Sequence, residues 1–259
     1  MFFRIPRRAL LRLASPLVIL ALWQGLSALG VIPARIIASP ATIAATFWTL
    51  ATTGRIGVDL AVSLGRVAAG LAIGIASGTV LAIVAASSRR GETIIDPPMQ
   101  MIRAVPLLGL TPLLILWFGI GETPKIALVA LSSTFPVYLT LFGGIRSVDP
   151  KLVEAACVFG LDRWGLIRHV IVPGALPSAL VGVRYALGAA WLSLVVGEQI
   201  NADRGIGHVI MDARDFLRTD IIVVGLVIYA LLGLASDAIV RAIEHRALAW
   251  RPSLVRAEA

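Results

Sequence analysis

The chain has 259 residues, of which 58% are hydrophobic and 15% are charged. Soluble domains carry roughly 25% charged residues, so this composition excludes an ordinary soluble globular protein and indicates a chain embedded in lipid. The formal charge of +8 comes from basic residues that gather at the ends of apolar blocks, which indicates anionic lipid headgroups rather than nucleic acid as a partner.

The N-terminal part is predicted to enter the membrane from the cytoplasm. Residues 1–12 are rich in arginine and precede the apolar block 13–32, and basic segments of this kind stay on the cytoplasmic side. The block exceeds the roughly 7–15 apolar residues of a signal peptide, so we expect a retained first span. Ser39 and Pro40 then predict the start of a helix that Gly54 ends, either in the membrane interface or as an ordinary loop helix.

The second span is predicted at residues 67–86, which contain no charge. Gly70, Gly74 and Gly78 recur every four residues, and small residues at this spacing form a ridge that another helix can approach closely. We expect the ridge to pack within this chain rather than against a second copy.

The third and fourth spans contain prolines, which remove a backbone donor and bend a helix. The third, 105–120, is interrupted at Pro106, Gly109 and Pro112. Such broken helices are tolerated where they face protein or a water-filled cavity, so this span is a candidate for lining a transport pathway. The fourth, 126–145, contains Pro136. Three hydroxyl residues beside it either bond to the carbonyl that the proline frees or line a polar path: Ser132, Ser133 and Thr134.

The loop at 148–177 predicts two short helices joined by a sharp turn. Asp149 is the expected N-cap of the first helix, and Gly160 ends it in the left-handed conformation. Asp162 then caps a second helix, which the Pro-Gly pair at 173–174 is expected to stop.

The last two spans are predicted at 179–196 and 221–239, followed by a basic tail at 241–259. Six spans place both termini in the cytoplasm, where the larger share of basic residues then lies. We therefore expect an all-α, polytopic membrane protein with a single six-span domain over residues 13–240 and the helical loop 148–177 in the cytoplasm.

That loop carries a recognisable pattern: E-A-A, three residues, Gly, nine residues, then V-I-V-P. It resembles the EAA loop of ATP-binding-cassette importer permeases, with valines at 170 and 172 where the family usually has Ile and Leu. The resemblance implies that the loop docks in a groove of a cytoplasmic ATPase and transmits its opening and closing. The candidate coupling residues are Glu154, Ala155, Ala156, Gly160 and Pro173.

The resemblance extends over most of the chain, from about residue 33 to 237, and points to the nitrate, sulfonate and taurine importer group. The stretches that carry it are S-P at 39–40, S-L-G-R-V at 63–67, R-A-V-P at 103–106, P-L-L-I-L-W-F-G at 112–119 and G-E-Q at 197–199.

This resemblance implies a type I importer permease in a bacterial inner membrane, working as a homodimer. Two cytoplasmic ATPase subunits would bind ATP and Mg, and an extracytoplasmic binding protein would deliver the substrate. The permease itself would carry no catalytic residue, metal or other cofactor, and the sequence contains no G-x-x-x-x-G-K-[ST] phosphate loop.

Charges within apolar spans are costly and indicate function by default. One hypothesis is that Arg103 and Arg184 attract an anionic substrate; the favoured alternative is structural pairing, of Arg66 with Glu198 and of Arg184 with Asp237. The candidate pathway or gate residues are Arg103, Pro106, Pro112, Arg184 and Glu198.

Two other classes of protein compete with an importer permease. A secondary transporter would show inverted repeats and paired ionisable groups near the membrane midplane, and neither pattern is evident. A non-transporting scaffold would need neither broken spans nor the patterned loop. The expected substrate is an aliphatic sulfonate, taurine or a nitrate-like anion, while non-anionic compounds stay open.

Overall fold

The computed structural model describes the backbone of residues 7–250 and the side chains of residues 14–250 except that of residue 201. Residues 1–6 of the basic N-terminal segment and 251–259 of the basic tail lie outside this part. The described residues form helices and no strand, which confirms the all-α prediction. The α-helices in chain order are α1 (Arg7–Ala28), α2 (Pro40–Thr52), α3 (Arg55–Ser87), α4 (Arg89–Ala104), α5 (Thr111–Phe118), α6 (Glu122–Arg146), α7 (Pro150–Val158), α8 (Arg163–Leu166), α9 (Val172–Asn201), α10 (Ile206–Asp215) and α11 (Thr219–Ala247).

By length and composition, four helical segments of the described chain can cross a membrane: α3, α6, α11 and the continuous helix Arg163–Ile200. A fifth span results if α4 and the helical segment Leu107–Phe118, which are bent by 86° at their junction, count as one. The expected first span at 13–32 corresponds to a shorter apolar helix, Ala14–Ala28. A multi-pass membrane protein follows, and the six-span count stays a prediction.

The bend in the third expected span lies at Pro106, the first of its two prolines. Val105 is extended, with ψ 128°, because the ring of a following proline disfavours the helical conformation. Pro112 lies in the first turn of α5, where its missing N–H breaks no helical hydrogen bond. The helix before Val105, α4, is therefore one half of the bent pair, and Pro112 does not interrupt α5.

The described chain divides into two compact units. The first contains the described residues up to Ala61 together with Asp203–Tyr229; the second contains Val62–Ala202 and the described chain from Ala230 onward. In the first unit, Ser39 caps α2 as predicted, accepting from the backbone N–H of Thr42 at 3.2 Å. Buried Asp59 accepts from the backbone N–H of Gly205 at 3.0 Å.

The second unit is built around α6, which packs along α9 and against the glycine ridge of α3. A Cβ atom added to Gly70 would lie 2.6 Å from the Cβ of Val129, and one added to Gly74 would lie 2.6 Å from the Cβ of Ser133. Two Cβ atoms do not approach each other so closely in proteins. The glycines therefore allow α3 and α6 to touch, which confirms that the ridge packs within the chain.

The hydroxyl groups beside Pro136 connect helices of the second unit. The Ser132 hydroxyl lies 2.5 Å from that of Ser193 on α9, and the Thr134 hydroxyl lies 2.7 Å from that of Ser77 on α3. The hydroxyls of 132, 133 and 134 also donate to carbonyls of the preceding turn of α6, and not to the Ser132 carbonyl that Pro136 frees. The expected bond to the freed carbonyl is therefore wrong, and a polar path stays a prediction.

Candidate functional site

The first helix of the 148–177 loop, α7, begins and ends as its sequence predicts. Asp149 caps it, its carboxylate accepting from the backbone N–H of Lys151 at 2.9 Å. Gly160 has φ +83°, and the two N–H groups that follow the helix bond back to it: that of Gly160 to the Cys157 carbonyl and that of Leu161 to the Ala156 carbonyl. This paired arrangement is a Schellman motif, which requires a residue tolerant of positive φ.

The second helix also starts as predicted but does not end at 173–174. Asp162 accepts from the backbone N–H of Gly165 at 2.8 Å. The chain then passes through α8 and a π-helical turn, Ile167–Ile171, directly into α9. The predicted stop at Pro173 is wrong because this proline lies in the first turn of α9, where its missing N–H is tolerated. In the π turn before it, the Val172 N–H bonds to the Ile167 carbonyl.

The loop presents an exposed apolar surface, which we call the coupling surface and define as Leu152, Val158, Phe159 and Trp164. These side chains are 60%, 87%, 84% and 68% exposed, respectively. Large apolar side chains exposed in a loop between spans are candidates for a docking site. Of the predicted coupling residues, Glu154, Ala155 and Gly160 are exposed, Pro173 is half-buried and Ala156 is buried.

None of the four residues of the coupling surface was among the coupling residues predicted from the sequence. The available signal was their position, since all four are apolar residues in the polar interval between two spans, on either side of Gly160. A single cysteine, Cys157, lies exposed on the same helix.

A buried charge network joins α3, α6 and α9 in the second unit. Arg66 donates to Glu198 at 2.7 Å, and the side chains are 4% and 0% exposed. Glu198 also accepts from the Ser63 hydroxyl at 2.8 Å. The remaining face of the Arg66 guanidinium contacts Glu122, with Nε and Nη2 at 2.5 and 2.7 Å from its carboxylate oxygens. The predicted pairing of Arg66 with Glu198 is confirmed.

Lys125 completes this network. Its side chain is 4% exposed, and its Nζ lies 3.2 Å from Glu122 Oε1. Glu122 itself is 55% exposed. One accessible carboxylate therefore contacts two buried cations, an arrangement that the sequence did not reveal.

The other candidate pathway residues have separate surroundings. Arg184 pairs with Asp237, at 3.4 Å, and with Glu244, which confirms its expected pairing with Asp237. Arg103 is exposed and lies over the ring of Phe135, 5.9 Å from its centre. These contacts do not join Arg103, Arg184 and Glu198 into one site. Pro106 and Pro112, described above, shape the bent helix pair and are exposed.

The first unit carries exposed and partly buried polar pairs. Arg218 donates to Asp220 at 2.8 Å, and this hydrogen bond raises the pKa of the Arg218 guanidinium above its ordinary value. Among the side chains that the structure describes, no cluster of His, Cys, Asp and Glu has the arrangement of a metal site.

The fold matches solved ATP-binding-cassette importers. An amino acid ABC transporter with histidines superposes with a TM-score of 0.64 at 22% identity, covering 76% of this chain and 96% of that one. The MetNI methionine ABC transporter in an inward-facing conformation superposes with a TM-score of 0.54 at 19% identity, covering 76% and 97%. At these identities the likeness concerns the fold alone.

Sequence comparison gives the family. Residues 78–248 match the family described as binding-protein-dependent transport system inner membrane component, and the chain belongs to this family. It is a permease subunit of an ATP-binding-cassette importer, and ATP hydrolysis belongs to other subunits of such systems.

Several relatives match nearly the whole chain. The putative aliphatic sulfonates transport permease protein SsuC of Escherichia coli (strain K12) is 46% identical over 250 residues, which are 95% of each chain. SsuC of Bacillus subtilis (strain 168) is 44% identical over 93% of this chain and 87% of its own. The taurine transport system permease protein TauC of E. coli is 32% identical over 95% and 91%.

Proposed function

We propose that this permease forms the path by which an aliphatic sulfonate crosses the membrane. The observation that carries the proposal is the identity of 46% and 44% to two proteins named as putative aliphatic sulfonates permeases, against 32% to a taurine permease. Taurine and nitrate, the other substrates expected from the sequence, are alternative outcomes of the test below.

The coupling surface is the proposed contact with the ATPase. Its apolar side chains lie exposed on either side of a turn whose geometry Asp149, Gly160 and Asp162 fix through caps. Because α8 continues through the π turn into α9, a push on α7 would be transmitted along a helix long enough to span the membrane. ATP and Mg would bind only to the ATPase.

The proposed assembly contains two copies of this chain, two ATPase subunits and one extracytoplasmic binding protein. The orientation places both termini and the coupling surface in the cytoplasm of a bacterium, since basic residues then lie mostly inside. The Arg66–Glu198 and Arg184–Asp237 pairs are proposed to hold helices together.

Reconstitution tests the proposal. The permease, its ATPase and its binding protein are placed in proteoliposomes, and uptake of radiolabelled ethanesulfonate, taurine and nitrate is measured with and without ATP. We expect ATP-dependent uptake of ethanesulfonate in preference to the other two. Preferred uptake of nitrate would refute a sulfonate substrate, and preferred uptake of taurine would show that the substrate is an amino-substituted sulfonate. Uptake driven by an ion gradient without ATPase would refute the mechanism.

A further inference from the structure

The network around Arg66 contains one member that differs from the rest in exposure. Arg66, Lys125 and Glu198 are buried, at 4%, 4% and 0% exposure of their side chains, whereas Glu122 is 55% exposed. Glu198 accepts from both Arg66 and Ser63, so it fixes the guanidinium from inside. Glu122 covers the two cations from the accessible side.

Two glycines with positive φ angles precede Glu122. Glu122 is the first residue of α6, directly after Gly119 and Gly121, which have φ +76° and +157°. A Cβ atom at either glycine would have no neighbour within 4 Å. The Glu122 carboxylate is therefore on the first residue of α6, after an open glycine turn, whereas Arg66 lies further along its own helix, α3. Lys125 follows Glu122 in the first turn of α6.

The donors that meet Glu122 outnumber its oxygens. Arg66 Nε bonds to Oε2, while Arg66 Nη2 and Lys125 Nζ share Oε1, at 2.7 and 3.2 Å. A sulfonate has three equivalent oxygens and can offer one to each donor. Guanidinium groups bind such oxyanions through parallel N–H bonds, and a lysine ammonium adds a compact charge.

We propose that Arg66 and Lys125 form an anion-binding site, which the Glu122 carboxylate occupies in this structure. The sulfonate group of the substrate enters the site by displacing Glu122. This inference rests on the proposed substrate class. When Glu122 moves away, Arg66, Lys125 and Glu198 are left with one net positive charge. An entering anion neutralises that charge. The site lies at the ends of α3, α6 and α9 that face outward in the proposed orientation, where the binding protein would release its ligand.

Neutralising Glu122 tests the site, because it removes the competitor and keeps the size of the side chain. Binding of radiolabelled ethanesulfonate is measured on the permease–ATPase complex in nanodiscs, without ATP and without binding protein. If the Glu122 carboxylate fills the site in about nine of ten molecules, it lowers the apparent affinity for ethanesulfonate about tenfold. Glu122→Gln should therefore bind ethanesulfonate at least about tenfold more tightly than the wild type. Glu92→Gln, which removes an exposed carboxylate paired with Arg146, is the matched control and should bind like the wild type.

Two further variants separate a binding site from a structural pair. Glu122→Ala also removes the competing carboxylate and should also bind ethanesulfonate more tightly than the wild type, while Lys125→Gln should weaken binding about tenfold. If Glu122→Gln is not recovered folded, the Lys125→Gln result decides. Equal affinity in Glu122→Gln and Glu92→Gln, or tighter binding of uncharged dimethyl sulfone by Glu122→Gln, would overturn the inference.

The proposed function and the inference can fail separately. If the wild-type system imports ethanesulfonate but Glu122→Gln gains no affinity for it, the sulfonate function stands and the site is lost. If the wild-type system imports another anion, the same binding assay with sulfate and nitrate still reports on the site. An affinity gain for these anions would support the anion site while the sulfonate assignment fails.

Discussion

Replacing Gly160 should uncouple the permease from its ATPase without unfolding it. The residue has φ +83°, and a Cβ atom there would have no neighbour within 4 Å, so a substitution strains only the backbone. An L-residue with a side chain costs about 1–2 kcal/mol in this conformation, and a β-branched residue such as valine lies at the upper end. Since about 1.4 kcal/mol is a factor of ten in an equilibrium constant, Gly160→Val should lower the ratio of loops in the docking geometry to loops in other conformations about tenfold or more.

The assay compares three permeases in proteoliposomes with ATPase and binding protein. Gly160→Val should lose most ATP-dependent uptake and stimulated ATP hydrolysis. Gly160→Asn should retain most of both, because asparagine tolerates positive φ, and Gly143→Ala, in α6 with open space around it, should behave like the wild type. Loss of membrane insertion with Gly160→Val, or equal activity of the valine and asparagine variants, would refute the reasoning.

Three other predictions follow from the contacts. Trp164→Ser should weaken retention of the ATPase about tenfold and leave thermal unfolding unchanged. Trp48→Ser, which removes a similarly exposed tryptophan (70%) on α2, should retain the ATPase like the wild type. Pull-down with tagged ATPase measures retention, and equal losses in the two variants would contradict the role of the coupling surface. Glu198→Gln should destabilise the protein by about 3–5 kcal/mol because it removes the buried negative charge that pairs with Arg66. Glu92→Gln removes a carboxylate from an exposed ion pair and should destabilise the protein by about 1 kcal/mol or less. Similar shifts in thermal unfolding for the two variants would show that burial does not determine the strength of these ion pairs. Gly74→Ala should destabilise the protein by about 1–3 kcal/mol, since the added methyl group overlaps Ser133. Gly65→Ala, whose added methyl group has no neighbour within 4 Å, should be neutral or slightly stabilising. If both variants unfold at the same temperature, the contact of α3 with α6 at Gly74 is wrong.

Features set by neighbours in sequence were predictable. Ser39, Asp149 and Asp162 are N-caps, and Gly160 has a positive φ, because each depends on the four or five residues around it. The pairing of Arg66 with Glu198 was also predictable, since Arg66 directly precedes the predicted span 67–86 and Glu198 closely follows the predicted span 179–196.

Features set by distant packing were not predictable. Glu122 contacts Arg66 across 56 residues of sequence, and nothing local marks it as the partner of two buried cations. Pro173 looked like a helix stop, but a π turn immediately before it lets the helix continue. The exposure of Phe159 and Trp164 likewise depends on which face of the loop the rest of the chain covers.

The central claim is that the loop containing α7 lies in the cytoplasm and binds the ATPase, and the chain's single cysteine tests it directly. Cys157 is exposed on α7, so a membrane-impermeant maleimide can report on the loop without any mutation. We expect labelling in inside-out vesicles but not in right-side-out vesicles, and protection of Cys157 when the ATPase is bound. Labelling from the outer side, or labelling that the ATPase leaves unchanged, would contradict the account.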